Sequence, residues 1–248
     1  MVTVLALAGC EKPATGIGST VNLVKVPAAG GIQPGSTWIT LTATRELRRD
    51  GVAVACEGLP ARLGPATHNR RETPILIEAD ASLKIGDLLP LLDSLFKGSC
   101  VNLSFLVATD HGSGALNFPV VMEHMCHDLW YWDGSREHHD SSPHLWIEVR
   151  PGPLRLVSVT TEREPFLVSS EPDKLELIQP SAWPGERPPA GPCSEETLKS
   201  FLARPDVAAL SPFIRLHLVP EDSLDSALAT LSALRRLGLA VLPEVYNR

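Results

Sequence analysis

Six of the chain's eight histidines fall between residues 111 and 144. The densest group is His124-Met125-Cys126-His127, followed by His138-His139 and His144, with Glu123, Asp128, Asp133 and Asp140 interspersed. Imidazole nitrogens and a thiolate are the donors that zinc and copper favour. His124, Cys126, His127, His138 and His139 are therefore the candidate ligands, with His124 and His127 foremost and zinc the metal they would suit. The tract holds neither a paired-cysteine knuckle nor a His-Glu-x-x-His helix. A polar loop held to the body by Trp130, Tyr131 and Trp132 explains the same residues, and the expected cofactor is none. Those three aromatics also form a candidate platform for contact with a partner or a glycan, since aromatic faces bury large areas and Tyr and Trp keep a polar handle.

Nucleophilic chemistry finds weaker support. Asp110-His111-Gly112-Ser113-Gly114 sets a serine near a histidine, but His111 stands where a nucleophile elbow requires glycine. A triad is assembled in space and not along the chain. Asp80 and Asp87 fit turn and helix-start roles. No phosphate-binding glycine loop is present. The sequence predicts no catalytic residue and a non-enzymatic protein. The competing expectation is a metal-dependent or hydrolytic enzyme centred on residues 111–144.

Apolar residues make up 44% of the chain and the net charge is −7. No basic stripe is present, which argues against nucleic acid as a partner. Cys56, Cys100, Cys126 and Cys193 are even in number; they suit either disulfides in an exported protein or buried thiols.

Local patterns predict the elements that must carry these residues. Trp38–Thr44 alternates and reads as a strand, Arg49-Asp50-Gly51 as a turn, and Val52–Cys56 as the returning strand. Leu59–Leu63 is a short helix and Pro74–Asp80 a buried strand. Leu88, Leu89, Leu91, Leu92, Leu95 and Phe96 recur with helical spacing, so Ile85–Lys97 is an amphipathic helix ended by Gly98. Val101–Val107 is the next strand, and residues 109–144 read as loop. Leu145–Val149 and Leu154–Val159 make a hairpin. Ser194 caps a helix that opens with Glu195 and Glu196. Ile214–Val219, Ser223–Leu237 and Leu239–Leu242 are strand, helix and strand.

Two stretches share one plan: strand, aspartate-bearing turn, leucine-rich helix, glycine, strand. Leu92 corresponds to Leu231 and Leu95 to Leu234. Upstream, Trp38-Ile39-Thr40-Leu41 corresponds to Trp146-Ile147-Glu148-Val149. The expected fold is α+β, built as two similar small domains, each a mixed sheet with helices on one face. The expected divisions are 1–36 (signal and flexible tether, with a short strand at Val21–Val26), 37–110 (first domain), 111–144 (His/Trp-rich connecting loop) and 145–248 (second domain with a proline-rich insertion at about 161–192).

Residues Met1–Cys10 form an apolar run ending Leu7-Ala8-Gly9-Cys10, before a stretch with Pro13, Gly16 and Gly18. This resembles the lipobox of bacterial lipoproteins, which implies lipidation of Cys10. It also implies a periplasmic body held to the inner or outer membrane by acyl chains alone. The strings Thr73-Pro74-Ile75-Leu76-Ile77-Glu78-Ala79-Asp80 and Gly86-Asp87-Leu88-Leu89-Pro90-Leu91-Leu92-Asp93 resemble the periplasmic domain of the ExbD/TolR family of biopolymer transport proteins. Leu234-Arg235-Arg236-Leu237-Gly238-Leu239-Ala240-Val241 resembles the same unit a second time. Members of that family carry a transmembrane helix with a proton-carrying aspartate, whereas this sequence offers no such helix. The resemblance therefore implies only the soluble part's roles: homodimerisation, peptidoglycan contact, or docking to an envelope protein partner.

Overall fold

The computed structural model describes residues 21–63, 71–125, 128–134, 136–140, 145–152, 155–161, 165–171, 174–178, 193–208, 212–238 and 240–245. The chain is α+β, as its sequence predicts. Its first unit opens with β1 (Thr37–Leu41), β2 (Leu47–Arg49) and β3 (Val52–Ala53), then a 3-10 turn and the short α1 (Leu59–Arg62). β4 (Ile75–Ala79), α2 (Ile85–Lys97), β5 (Leu103–Thr109) and β6 (Gly112–Phe118) follow. These strands make a six-stranded sheet in the order β3-β2-β1-β4-β5-β6. The β1–β4 and β4–β5 pairs are parallel, so each needs a crossover, which α1 and α2 supply. α2 turns Ile85, Leu88, Leu91, Leu92 and Leu95 into the core. Its Asp87 carboxylate accepts the backbone N–H of Lys84 at 2.9 Å, satisfying a donor that the helix itself leaves open.

Residues 109–144 were expected to be loop, but their described part is mostly strand. They form β6, then β7 (Val120–Met125), β8 (Asp128–Trp132) and β9 (Glu137–Asp140), the last three making a separate antiparallel sheet β7-β8-β9. The polar histidines hid the alternation: β8 presents Leu129 and Tyr131 to one side and half-buried Trp130 to the other. Asp110 and His111 are only the two turn residues between β5 and β6, whose register closes at Thr109 opposite Gly112.

The second unit comprises β10 (Leu145–Arg150), β11 (Arg155–Thr161), β12 (Pro165–Glu171), β13 (Lys174–Ile178), α3 (Glu195–Leu202), the single-turn α4 (Pro205–Ala208), β14 (Pro212–Leu218), α5 (Leu224–Arg235) and β15 (Val241–Val245). Its sheet runs β13-β12-β11-β10-β14-β15, with β10–β14 and β14–β15 parallel. Two of the strands, β12 and β13, fall within the stretch expected to be an insertion. The prolines at 180–192 lie outside the described residues.

The repeat holds from β4 and α2 to β14 and α5, but two equivalences shift. β1 meets β4 with Ile39 opposite Ile77, while β10 meets β14 with Val149 opposite Leu216. Ile39 thus matches Val149, and Trp146 lies two residues before the counterpart of Trp38. Along the helix-entry loops, Asp80 aligns with Val219, and Asp222 with Leu83.

Residues 21–36, expected to belong to a flexible tether, are docked. Val26 N donates to Ala108 O and Ala108 N to Val24 O, both at 2.9 Å, and Gly30 exchanges two such bonds with Ala115. Val24 and Val26 are buried in the main core. Ala81 N donates to Asn22 O at 2.8 Å, so this segment lies beside the ends of both β4 and β5. The remainder of the expected tether, residues 1–20 with Cys10, lies outside the described residues.

One apolar cluster runs through both units, from Ile39, Ile77 and Leu95 to Ile147, Leu216 and Leu231. Among the described residues, no helix is long and apolar enough to cross a membrane.

Candidate functional site

The β7-β8-β9 sheet carries the largest share of the chemistry-bearing residues, and its pleat decides which of them meet. His138 and His139 are neighbours on β9 and so point to opposite faces. His139 stacks on Trp130 with ring centroids 4.0 Å apart, and His138 stacks on Tyr131 at 4.8 Å. They cannot share one metal ion, which corrects their inclusion in one ligand set. His124 sits on β7 opposite Leu129. Cys126 and His127 lie outside the described residues, as does His144. Among the described residues no group of three His, Cys, Asp or Glu side chains could hold a metal.

The aromatic platform is likewise corrected. Tyr131 and Trp132 are buried, and Trp130 is half-buried beneath an imidazole. Tyr131 packs edge-on against Phe213 at 6.0 Å. With Leu129, Trp146, Phe213 and Leu242 it forms a small second core that fixes the three-stranded sheet onto the outer face of β10, β14 and β15. Burial, with the nearby charges of Asp133 and Asp140, pushes the Tyr131 hydroxyl above its ordinary range, partly offset by Arg136. It is therefore neutral at physiological pH.

One polar junction lies at the β8–β9 turn. His138 Nε2 lies 2.6 Å from Asp133 Oδ2, and the Asp133 Oδ1 atom accepts the Arg136 backbone N–H at 3.0 Å. Gln33 Nε2 donates to Gly134 O at 2.7 Å. Gly134, at φ +93°, leaves no space for a side chain, because an added Cβ would lie 2.4 Å from Asn117 Cβ. Arg235 reaches across from α5 and donates to Asn117 O at 2.9 Å. Burial holds the Arg235 pKa below its ordinary value, an effect the Asp133 charge only partly offsets. One turn thus ties together the N-terminal segment, β6, β9 and α5.

A second polar group lies on the outer face of the second sheet. Arg215 donates from Nη1 to Glu148 at 3.0 Å and its Nε lies 3.0 Å from a Glu244 oxygen. Its guanidinium lies 4.2 Å from the Trp146 ring centroid, a stacked, forked geometry that lysine does not reproduce. Glu148 lies directly across the strand pair from Arg215.

In the first unit, Asp80 is buried and accepts from Asn22 N at 3.0 Å, Ser82 N at 3.0 Å and Ser82 Oγ at 2.6 Å. Burial alone would raise its pKa, but these donors outweigh it and hold the carboxyl below the usual range. Sequence reasoning gave Asp80 a turn role and missed that it anchors the N-terminal segment, because Asn22 is far away along the chain. Cys56, Cys100 and Cys193 are thiols, and burial raises the pKa of both Cys56 and Cys193; such thiols are poor nucleophiles.

These groups join sheets, helices and the leading segment to one another. The outward-facing features are different in kind. β3 is the outer strand of the first sheet, and its Val52 is 64% exposed, with Phe96 on α2 also exposed. An edge strand offers unpaired backbone groups to an incoming chain. Compared with known proteins, the chain matches no family model, no curated protein and no solved structure.

Proposed function

We propose that this chain is a non-enzymatic cell-envelope lipoprotein resembling the soluble domain of ExbD/TolR transport proteins. In this reading Cys10 carries the lipid, the body sits in the periplasm, and the body binds an envelope protein partner or peptidoglycan. The observation that supports the binding part of the reading is the edge at β3, a two-residue outer strand on which Val52 stands exposed. The duplicated strand–helix units and the lipobox-like run agree with it. The buried polar clusters support the same reading, since each serves to hold elements together.

Three measurements test it. Mass spectrometry of the N-terminus from membrane fractions is expected to find diacylated Cys10, and Cys10→Ser is expected to move the protein to the soluble fraction. An unmodified Met1 on cytosolic protein would overturn the localisation. Purified peptidoglycan sacculi are the probe for binding: the protein is expected to co-sediment, and Val52→Asp to reduce the bound fraction at least fivefold. Equal sedimentation of both proteins would remove β3 as the contact.

A further inference from the structure

We infer that the two strand–helix units form a homodimer-like pair captured within one chain, meeting across a pseudo-two-fold axis at Lys84 and Ser223. Lys84 and Ser223 form an isolated antiparallel bridge, and each is the residue immediately before its helix, α2 or α5. The flanking bonds are reciprocal. Ile85 N donates to Asp222 O at 2.9 Å, and Leu224 N donates to Leu83 O at 2.9 Å. Ile85 and Leu224 are the first residues of their helices, and Leu83 and Asp222 each stand two residues earlier. Each bond is therefore the image of the other under exchange of the units. This is the pattern of an isologous contact, in which residue i meets j and j meets i.

The symmetry extends into the core. Ile85, Leu92 and Leu95 of α2 and Leu224, Leu231 and Leu234 of α5 occupy the same positions along their helices, and all six are buried in the one shared cluster. The helix N–H groups used here are among those a helix cannot satisfy internally, so each unit closes the other's helix start. Gly86 N also donates to Pro220 O at 2.9 Å. Gly86 has no side chain at the point of closest approach: an added Cβ would lie 3.0 Å from Pro220 O and 3.1 Å from Pro220 Cβ. The partner this face fits is the chain's own second unit, and the face is closed to a second copy.

The test uses the full chain with Lys84→Cys and Ser223→Cys together. The bridge is of the type whose flanking residues carry the hydrogen bonds, so its Cα atoms stand about 4.5 Å apart, within disulfide reach. Mild oxidation is expected to join positions 84 and 223 within single chains, seen by peptide mapping at monomer mass. No 84–223 link, or a link found only between two chains, would overturn the inference. Gly86→Ala gives a second readout. Replacing a helix glycine by alanine favours an isolated helix, whereas a closed interface at Pro220 predicts slower cross-linking, by roughly threefold. An unchanged or faster rate with Gly86→Ala would also overturn it.

Discussion

Asp80 shows how one carboxylate can hold a distant part of the chain. Its donors come from Asn22 and Ser82, and a hydrogen bond to a charged group contributes about 1.5–3 kcal/mol. Asp80→Asn is expected to lower unfolding free energy by about that amount at neutral pH, measured by urea denaturation. Because the folded pKa lies below the unfolded one, the folded state holds fewer protons. The carboxylate's contribution is then fully present above the unfolded value of about 3.9 and is lost as pH falls through the lower folded value. Thermal melts at acid pH should show this loss in the parent and a flatter profile in Asp80→Asn; parallel profiles would refute it. Gly134 tests the β8–β9 turn. Its positive φ and the adjacent Asn117 predict that Gly134→Ala costs at least ~1–3 kcal/mol, again read from urea midpoints. Neither role is visible locally: the sequence marks Asp80 as a turn residue and leaves Gly134 inside an expected loop, and only contacts with Asn22 and Asn117 make them hard to replace.

At the scale of elements, local patterns were a good guide to α2, which buries one face, and to the apolar strands β4 and β14, which are buried on both. α2 spans Ile85–Lys97, as its leucine spacing predicts, and β4 and β14 lie within a residue or two of their expected bounds. They failed where both faces of a strand meet side chains of mixed character. In β8 and β9 the pairs Trp130–His139 and Tyr131–His138 stack on opposite faces, so the alternation of apolar and polar residues is blurred. They were only half a guide at residues 21–36, read as a tether with a short strand at Val21–Val26, where Val24 and Val26 fill the core and the following residues are docked as well. Replacing both valines by serine is expected to release that segment. Hydrogen exchange would then show the amides of Ala108 and Ala115, which now bond to it, losing protection while those of α2 keep it. Unchanged protection at Ala108 would show that the segment contributes little.

For the whole molecule, the decisive feature is that one apolar cluster crosses both units while a smaller one fixes the three-stranded sheet to the second. A shared core predicts one cooperative thermal transition for the full chain, followed by calorimetry; two well-separated transitions would contradict it. Leu129 is fully buried in the smaller cluster. Leu129→Ala is therefore expected to cost about 2–5 kcal/mol and to raise exchange in β8 and β9 before it does so in β4. The sequence by itself determined the α+β class, the main helices and the repeated strand–helix plan, because helical and strand periodicities are written in neighbouring residues. Only the tertiary structure decided that residues 120–125, 128–132 and 137–140 form a sheet, that the leading segment is docked and that the units close about Lys84 and Ser223. Those outcomes rest on backbone hydrogen bonds and pleat parity between residues far apart in the chain, which no local pattern encodes.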